Sequence, residues 1–227
     1  MLIQLKELLS KEMVQHCRSL LENAQWKDGK HTAGAQSEKA KNNEQLPEDA
    51  PQLAELRTII IKNIQRNGLF FSASLPKKIF PPLFNRYSGS SNSFGNHVDN
   101  AVRTFAKTGE NVRTDLSCTV FLSEPDEYEG GELVIEDAYG SKPVKLAAGD
   151  AILYPSTSLH RVEPVTKGAR IASFFWIESM IRSDDVRRIL FDMDVAILNL
   201  RQTYGDDDNA VVLTSCYHNL TRMFADT

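Results

Sequence analysis

Between about Lys78 and Ser179, apolar residues recur at every second position, in runs too short for helices. Leu116, Cys118, Val120 and Leu122 alternate with Ser117, Thr119, Phe121 and Ser123, and successive side chains of an extended backbone point to opposite faces. GELVIED, KPVKLAAGDAILYP, HRVEPV and ARIASFFWIES are further β-prone runs, broken by turn residues such as Gly130-Gly131 and Gly149-Asp150. About seven or more short strands with no helix between them predict an antiparallel sandwich or barrel.

On either side the period becomes helical. After Ser10, a plausible N-cap, Met13, Val14, Cys17, Leu20 and Leu21 share one face. The polar stretch from Lys27 to Asp49 is too long for a simple connection, which predicts disorder or a functional lid. A second helix is expected from near Pro51, carrying Leu53, Leu56, Ile60 and Ile64 until Gly68 ends it. Beyond the β zone, Ser183 can cap a helix with Asp184 and Asp185 in its first turn. Val186, Ile189, Leu190, Met193, Ile197 and Leu200 form its apolar stripe, stopped by Gly205. Asp206 to Asp208 read as a solvated turn and N-cap, and Leu213, Cys216, Tyr217, Leu220 and Phe224 mark a last helix. The chain thus divides into an N-terminal helical and loop region (1–77), a β domain (78–179) and a C-terminal helical segment (180–227). The stripes of that tail suit a core or a symmetric homo-oligomer interface.

A net charge of -4 offers no basic surplus for nucleic acid or an anionic membrane. No stretch approaches the roughly 20 apolar residues of a membrane helix. The start, MLIQLKELLSKEM, lacks a basic n-region and meets charge at Lys6 and Glu7, unlike a signal peptide. Cys17, Cys118 and Cys216 cannot all pair and show no C-x-x-C spacing, so reduced thiols are expected. The expected location is cytoplasmic.

His97 and Asp99 form H-V-D after the small, polar segment YSGSSNSFGN, which suits a loop at a barrel mouth. Residues i and i+2 of an extended backbone share a face, so imidazole and carboxylate can converge on one ion. His160, after AILYPS and a short turn, can complete the set. Two imidazoles and one carboxylate are the facial triad of non-haem iron(II) oxygenases, but zinc accepts the same donors in hydrolases. H-x-D alone is weak, and its bland alternative is a polar loop pair.

Arg170 separates these readings. The intervening RVEPVTKGA reads as strand, Thr-Lys-Gly turn and strand, a hairpin that returns Arg170 beside the strand of His160. A guanidinium there can grip the far carboxylate of a dicarboxylate that chelates the metal. A hydrolytic zinc site has no such need. Tyr87 is a further candidate, its phenol able to hydrogen-bond that carboxylate, against the alternative of a core tyrosine. Phe174 and Trp176 share parity with Arg170, so one of them can wall the pocket. His16 and His218 read as helix-surface residues, His31 as a loop residue with some reach toward substrate, and Cys118 as a small core residue.

The chain resembles the bacterial PKHD-type hydroxylases, within the prolyl 4-hydroxylase-like branch of the 2-oxoglutarate dioxygenases. The resemblance rests on WKDGKHTAG, KNNEQL, FNRYSG, HVDNAVR, RTDLSCTVFLSEPDEYEGGEL, GDAILYPSTSLHRVEPVTKGAR and the helical tail. It implies a double-stranded β-helix (jelly roll) core with flanking helices. It also implies Fe(2+) on His97, Asp99 and His160, 2-oxoglutarate on Arg170, dioxygen as co-substrate and L-ascorbate as the reductant of over-oxidised iron. Hydroxylation of a protein residue or a small molecule, with release of succinate and CO2, is the implied activity, and iron uptake its frequent setting. The rival readings are a zinc hydrolase and a non-catalytic jelly-roll module that senses or binds iron.

Overall fold

The computed structural model describes residues 1–32 and 37–227. The chain opens with β1 (Ile3–Leu5) and α1 (Lys11–Glu22), then the two-residue strands β2 (Lys27–Asp28), β3 (Lys41–Asn42) and β4 (Glu44–Gln45). Next come α2 (Leu53–Arg66), α3 (Gly68–Ser74), β5 (Pro76–Ile79), β6 (Leu83–Ser88) and β7 (Ser93–His97). A hairpin of β8 (Val102–Phe105) and β9 (Glu110–Arg113) precedes β10 (Leu116–Phe121), β11 (Tyr128–Gly130), β12 (Leu133–Asp137) and β13 (Gly140–Val144). The chain ends with β14 (Ala151–Pro155), β15 (His160–Val162), β16 (Val165–Ser179), α4 (Asp184–Tyr204) and α5 (Asp208–Phe224).

The strands form two facing antiparallel sheets, the jelly-roll arrangement. In the large one, β1, β14, β10, β16, β6, β4 and β2 lie in that order, with β5 and β11 added along β16. The small one runs β13, β12, β15, β7, β3. Strand parity decides which side of the large sheet each residue serves. Leu116, Cys118, Val120, Leu153, Phe175 and Ile177 pack outward against α1, α2 and α3 through Val14, Cys17, Leu21, Leu56, Ile60, Ile64 and Phe70. The opposite parity, with Tyr87, Phe121, Ile152 and Tyr154, meets Leu133, Ile135 and Val162 of the small sheet. Each such side chain contributes roughly 1.5–3 kcal/mol by leaving water, so the helices, though remote from the site, hold the sheet that frames it.

Caps agree with the sequence. The Ser10 and Ser183 hydroxyls accept from the amides of Met13 and Val186, and the Asp207 carboxylate accepts from the amide of Ala210. The C-terminal stripes are only half covered: Leu190, Ile197 and Tyr217 pack with Leu75 and Ile181, while Ile189, Leu200, Leu213 and Phe224 stay exposed.

Three expectations change. The described part of Lys27 to Asp49 is neither structureless nor a free flap: β2 and β4 extend the large sheet beyond β6, and β3 extends the small sheet beyond β7. Gly68 does not end α2 as expected. Asn67 does so, and its side chain accepts from the amide of Phe70 at 2.8 Å to open α3 at Gly68. Nor is Thr166-Lys167-Gly168 a turn. It lies inside β16 and pairs with β11, Tyr128 opposite Gly168, where a Cβ would stand 2.1 Å from the Glu127 carbonyl oxygen. The chain instead crosses between sheets at Glu163-Pro164, so His160 and Arg170 lie in different sheets.

Candidate functional site

β15 pairs with β7 in a register that sets His160 directly opposite His97, ring centroids 4.2 Å apart. Nδ1–H of His97 donates to the Gly95 carbonyl at 2.8 Å, and Nδ1–H of His160 donates to that of Ser158 at 3.0 Å. Since a carbonyl only accepts, each Nε2 keeps its lone pair for a metal. Asp99, just past the end of β7, brings Oδ2 to 3.9 Å from His160 Nε2, and ligand atoms of the three residues all lie within 4.8 Å of one another. Two nitrogens and one carboxylate oxygen on one side of a prospective ion fit iron(II).

The surroundings hold this arrangement. Ser117 of β10 donates to Asp99 Oδ2 at 2.6 Å, which leaves the Ser156 hydroxyl to donate to Ser117 at 2.7 Å. Phe94 stacks on His97, centroids 3.5 Å apart, and Tyr154 meets His160 edge-on at 5.3 Å. Burial first, and the adjacent His160 second, hold His97 below the usual histidine range, so it stays neutral at physiological pH.

Across the gap, Arg170 of β16 lies directly opposite Tyr87 of β6, and opposed residues of an antiparallel pair share a face. Arg170 is 1% exposed, its guanidinium 5.3 Å from the Tyr87 ring centroid and 5.2 Å from that of Phe121. Its Nε has no hydrogen-bond partner, and no carboxylate among the described residues pairs with it. A buried cation without its anion costs several kcal/mol, so the pocket is built for an acidic ligand. Burial pushes the Tyr87 phenol up while the Arg170 charge pulls it down, and a protonated phenol can donate to the same ligand.

The site residues proposed from the sequence therefore meet in one cavity of about 740 Å³, its open mouth included. Phe174 and Trp176 both line it. His16 is instead at the surface, 2.7 Å from Glu55, and His218 is exposed. The side chain of His31 falls outside the described residues. Sequence reasoning missed Ser117, Phe94, Lys41, Asn43, Asn85 and Arg103, all of which line the same cavity. Ser117 had a signal: with Thr119 it sets polar residues on the inward parity of a strand buried on both faces. Both amide atoms of Asn43 and Oδ1 of Asn85 are buried without partners, a second mark of a ligand site.

Residues 82–178 match the 2OG-Fe(II) oxygenase superfamily, and residues 184–226 the PKHD-type hydroxylase C-terminal domain. A PKHD-type hydroxylase of Saccharophagus degradans is 59% identical over the whole of both chains, and one of Polaromonas sp. is 55% identical over the same extent. Among solved structures, a Pseudomonas putida prolyl-4-hydroxylase matches with TM-score 0.51 and 17% identity, over 78% of this chain and 92% of its own. A Trichoplax adhaerens prolyl hydroxylase, solved with a hypoxia inducible factor peptide fragment, matches with TM-score 0.56 and 16% identity, over 83% of this chain and 86% of its own. Likeness at that level concerns the fold.

Proposed function

The chain belongs to the PKHD-type hydroxylases, and on that premise we propose that His97, Asp99 and His160 hold its iron(II) while Arg170, assisted by Tyr87, holds the distal carboxylate of 2-oxoglutarate. Membership makes it an iron(II)- and 2-oxoglutarate-dependent oxygenase. The observation that carries the residue assignment is Arg170, a buried cation whose Nε lacks a partner, facing two histidines with free Nε2 lone pairs. A zinc hydrolase or a bare binding module would leave that cation unexplained.

When bound together, iron(II), 2-oxoglutarate and dioxygen supply oxidative decarboxylation to succinate and CO2, coupled to hydroxylation of a C–H bond. The chain's own work is positional. The Gly95 and Ser158 carbonyls fix the histidine tautomers, Ser117 orients Asp99, and the guanidinium fork fixes one end of the co-substrate. Phe94, Tyr154, Phe174 and Trp176 wall the cavity with apolar surface and limit water. The three regions divide the labour: 78–179 supplies the ligands, 1–77 adds edge strands at the mouth and backing helices, and 180–227 is a helical appendage. L-ascorbate as reductant and a role in iron homeostasis belong to the proposal through family resemblance. A cytoplasmic location is supported by three free thiols, and no described helix is long and apolar enough to cross a membrane.

Titration of the anaerobic iron(II) protein with 2-oxoglutarate, followed by charge-transfer absorbance, tests the assignment. Arg170→Ala removes a buried charged contact worth roughly 1.5–3 kcal/mol, so the midpoint rises at least about tenfold. Arg170→Lys recovers part of the loss, because an ammonium keeps charge without the fork. Identical midpoints for all three proteins would sink the role of Arg170.

A further inference from the structure

The hydrogen-bonding groups that line the cavity do not balance against the co-substrate alone. Granting the oxygenase reading, 2-oxoglutarate enters as a dianion, and its carboxylates and keto oxygen only accept hydrogen bonds. Arg170 and the Tyr87 phenol, both donors, suit it. The carboxamides in the same cavity wall suit it only in part, and Asn43 is the clearest case.

Asn43 sits where the two sheets come together. β3, just before it, pairs with β7 of the small sheet, and β4, just after it, pairs with β6 of the large one. The Gly29 amide donates to the Asn43 carbonyl at 2.8 Å, and a Cβ on Gly29 would stand 2.0 Å from Asn43 Oδ1, so glycine there makes room for the side chain. Asn43 is 2% exposed. Burial raises the Tyr87 phenol, Arg170 opposes that and Asn43 opposes it less, which places the carboxamide beside the phenol. The two are nonetheless not in hydrogen-bond geometry: Oδ1 and Nδ2 of Asn43 are both buried without a partner. Turning the amide over exchanges these atoms and leaves one donor and one acceptor open either way. Asn85, 7% exposed, repeats the pattern in part: Nδ2 donates to the Tyr87 hydroxyl at 3.4 Å and Oδ1 is left open. A buried acceptor without a donor is costly, and an acceptor-only dianion cannot relieve it.

We propose that Asn43 recognises the substrate through a group that offers N–H and C=O side by side, its N–H donating to Oδ1 and its C=O accepting from Nδ2. A primary carboxamide has this arrangement. So does one residue of an extended peptide, whose own N–H and C=O point the same way, as in a hydrogen-bonded pair of antiparallel strands. This rests on the oxygenase reading above and adds the chemical class of the substrate.

The full chain, loaded with manganese(II) in place of iron and saturated with 2-oxoglutarate, provides the test. Paramagnetic broadening of probe protons reports binding near the metal. One arm sets phenylacetamide against methyl phenylacetate; the other sets acetyl-alanine methylamide against its ester analogue with lactate in place of alanine. The arms separate a small carboxamide from a peptide, and each ester keeps the carbonyl but lacks the N–H. In at least one arm the amide binds about fivefold or more tightly than the ester, which leaves a buried acceptor unanswered. Asn43→Leu brings that pair to within about twofold, whereas Asn43→Asp, which keeps an acceptor there, preserves the preference. Equal or weaker binding of both amides in the unmodified protein, or no broadening of any probe, overturns the proposal. So does a preference that survives Asn43→Leu, or one that Asn43→Asp abolishes as fully as Asn43→Leu. The 2-oxoglutarate protons serve as the second readout. If they are not broadened, the oxygenase site itself is misassigned, whereas broadened 2-oxoglutarate with probe binding blind to the N–H defeats the substrate proposal alone.

Discussion

The two sheets share a site but are built differently. All six residues of β10 in the large sheet are buried, because α1, α2 and α3 cover one face and the small sheet the other. The strands of the small sheet are two to five residues long, and part of its outer face is a charge ladder. There Arg161 bonds Glu136 at 2.7 Å and Glu163 at 2.6 Å. The short sheet carries both histidines, while the rigid one carries Arg170 and, through Ser117, the tether on Asp99. Stability and ligation are therefore separable in principle, and Ser117 is where they meet.

The largest effect expected from breaking that contrast lies in the rigid sheet. Phe175 is 1% exposed and belongs to the core cluster shared with α1 and α2, although it also borders the cavity. Phe175→Ala should cost about 3–5 kcal/mol of unfolding free energy, read from denaturant midpoints at unchanged m-value. A loss below about 1 kcal/mol would mean that the helix-backed face does not carry the fold. Asp99→Ala and His160→Ala probe the opposite pole: iron(II) affinity should fall by more than about 100-fold, the upper end for residues that merely support a ligand. Circular dichroism of the metal-free variants should match that of the unmodified protein. Iron affinity unchanged in both variants would remove the metal assignment. Ser117→Ala sharpens the boundary. It frees Asp99 Oδ2 from its bond to the large sheet, so iron affinity should fall by about 10- to 100-fold, with little change in far-ultraviolet dichroism. A loss as deep as that of Asp99→Ala would make Ser117 indispensable rather than supportive.

Sequence alone determined the β zone, its parity, the flanking helices with their caps, and the residue types of the site. Those signals are local: alternation, helical period and i, i+2 convergence are properties of a few neighbouring residues. The H-V-D pair needed only an extended backbone, and Arg170 needed only a reason for a carboxylate partner. Tertiary structure alone decided which sheet each strand joined. The segment from His160 to Arg170 reads as a hairpin because Thr-Lys-Gly is good turn chemistry, yet Gly168, at a positive φ of 74°, pairs with β11 and stays within β16. Strands of two residues, such as β2, β3 and β4, have no period to detect, so Lys41 and Asn43 entered the cavity unannounced. Phe94 over His97 and Arg103 over Trp176 likewise depend on register between distant segments. Register is set by how whole faces bury against one another, a long-range balance of apolar area and backbone hydrogen bonds that no window of sequence contains.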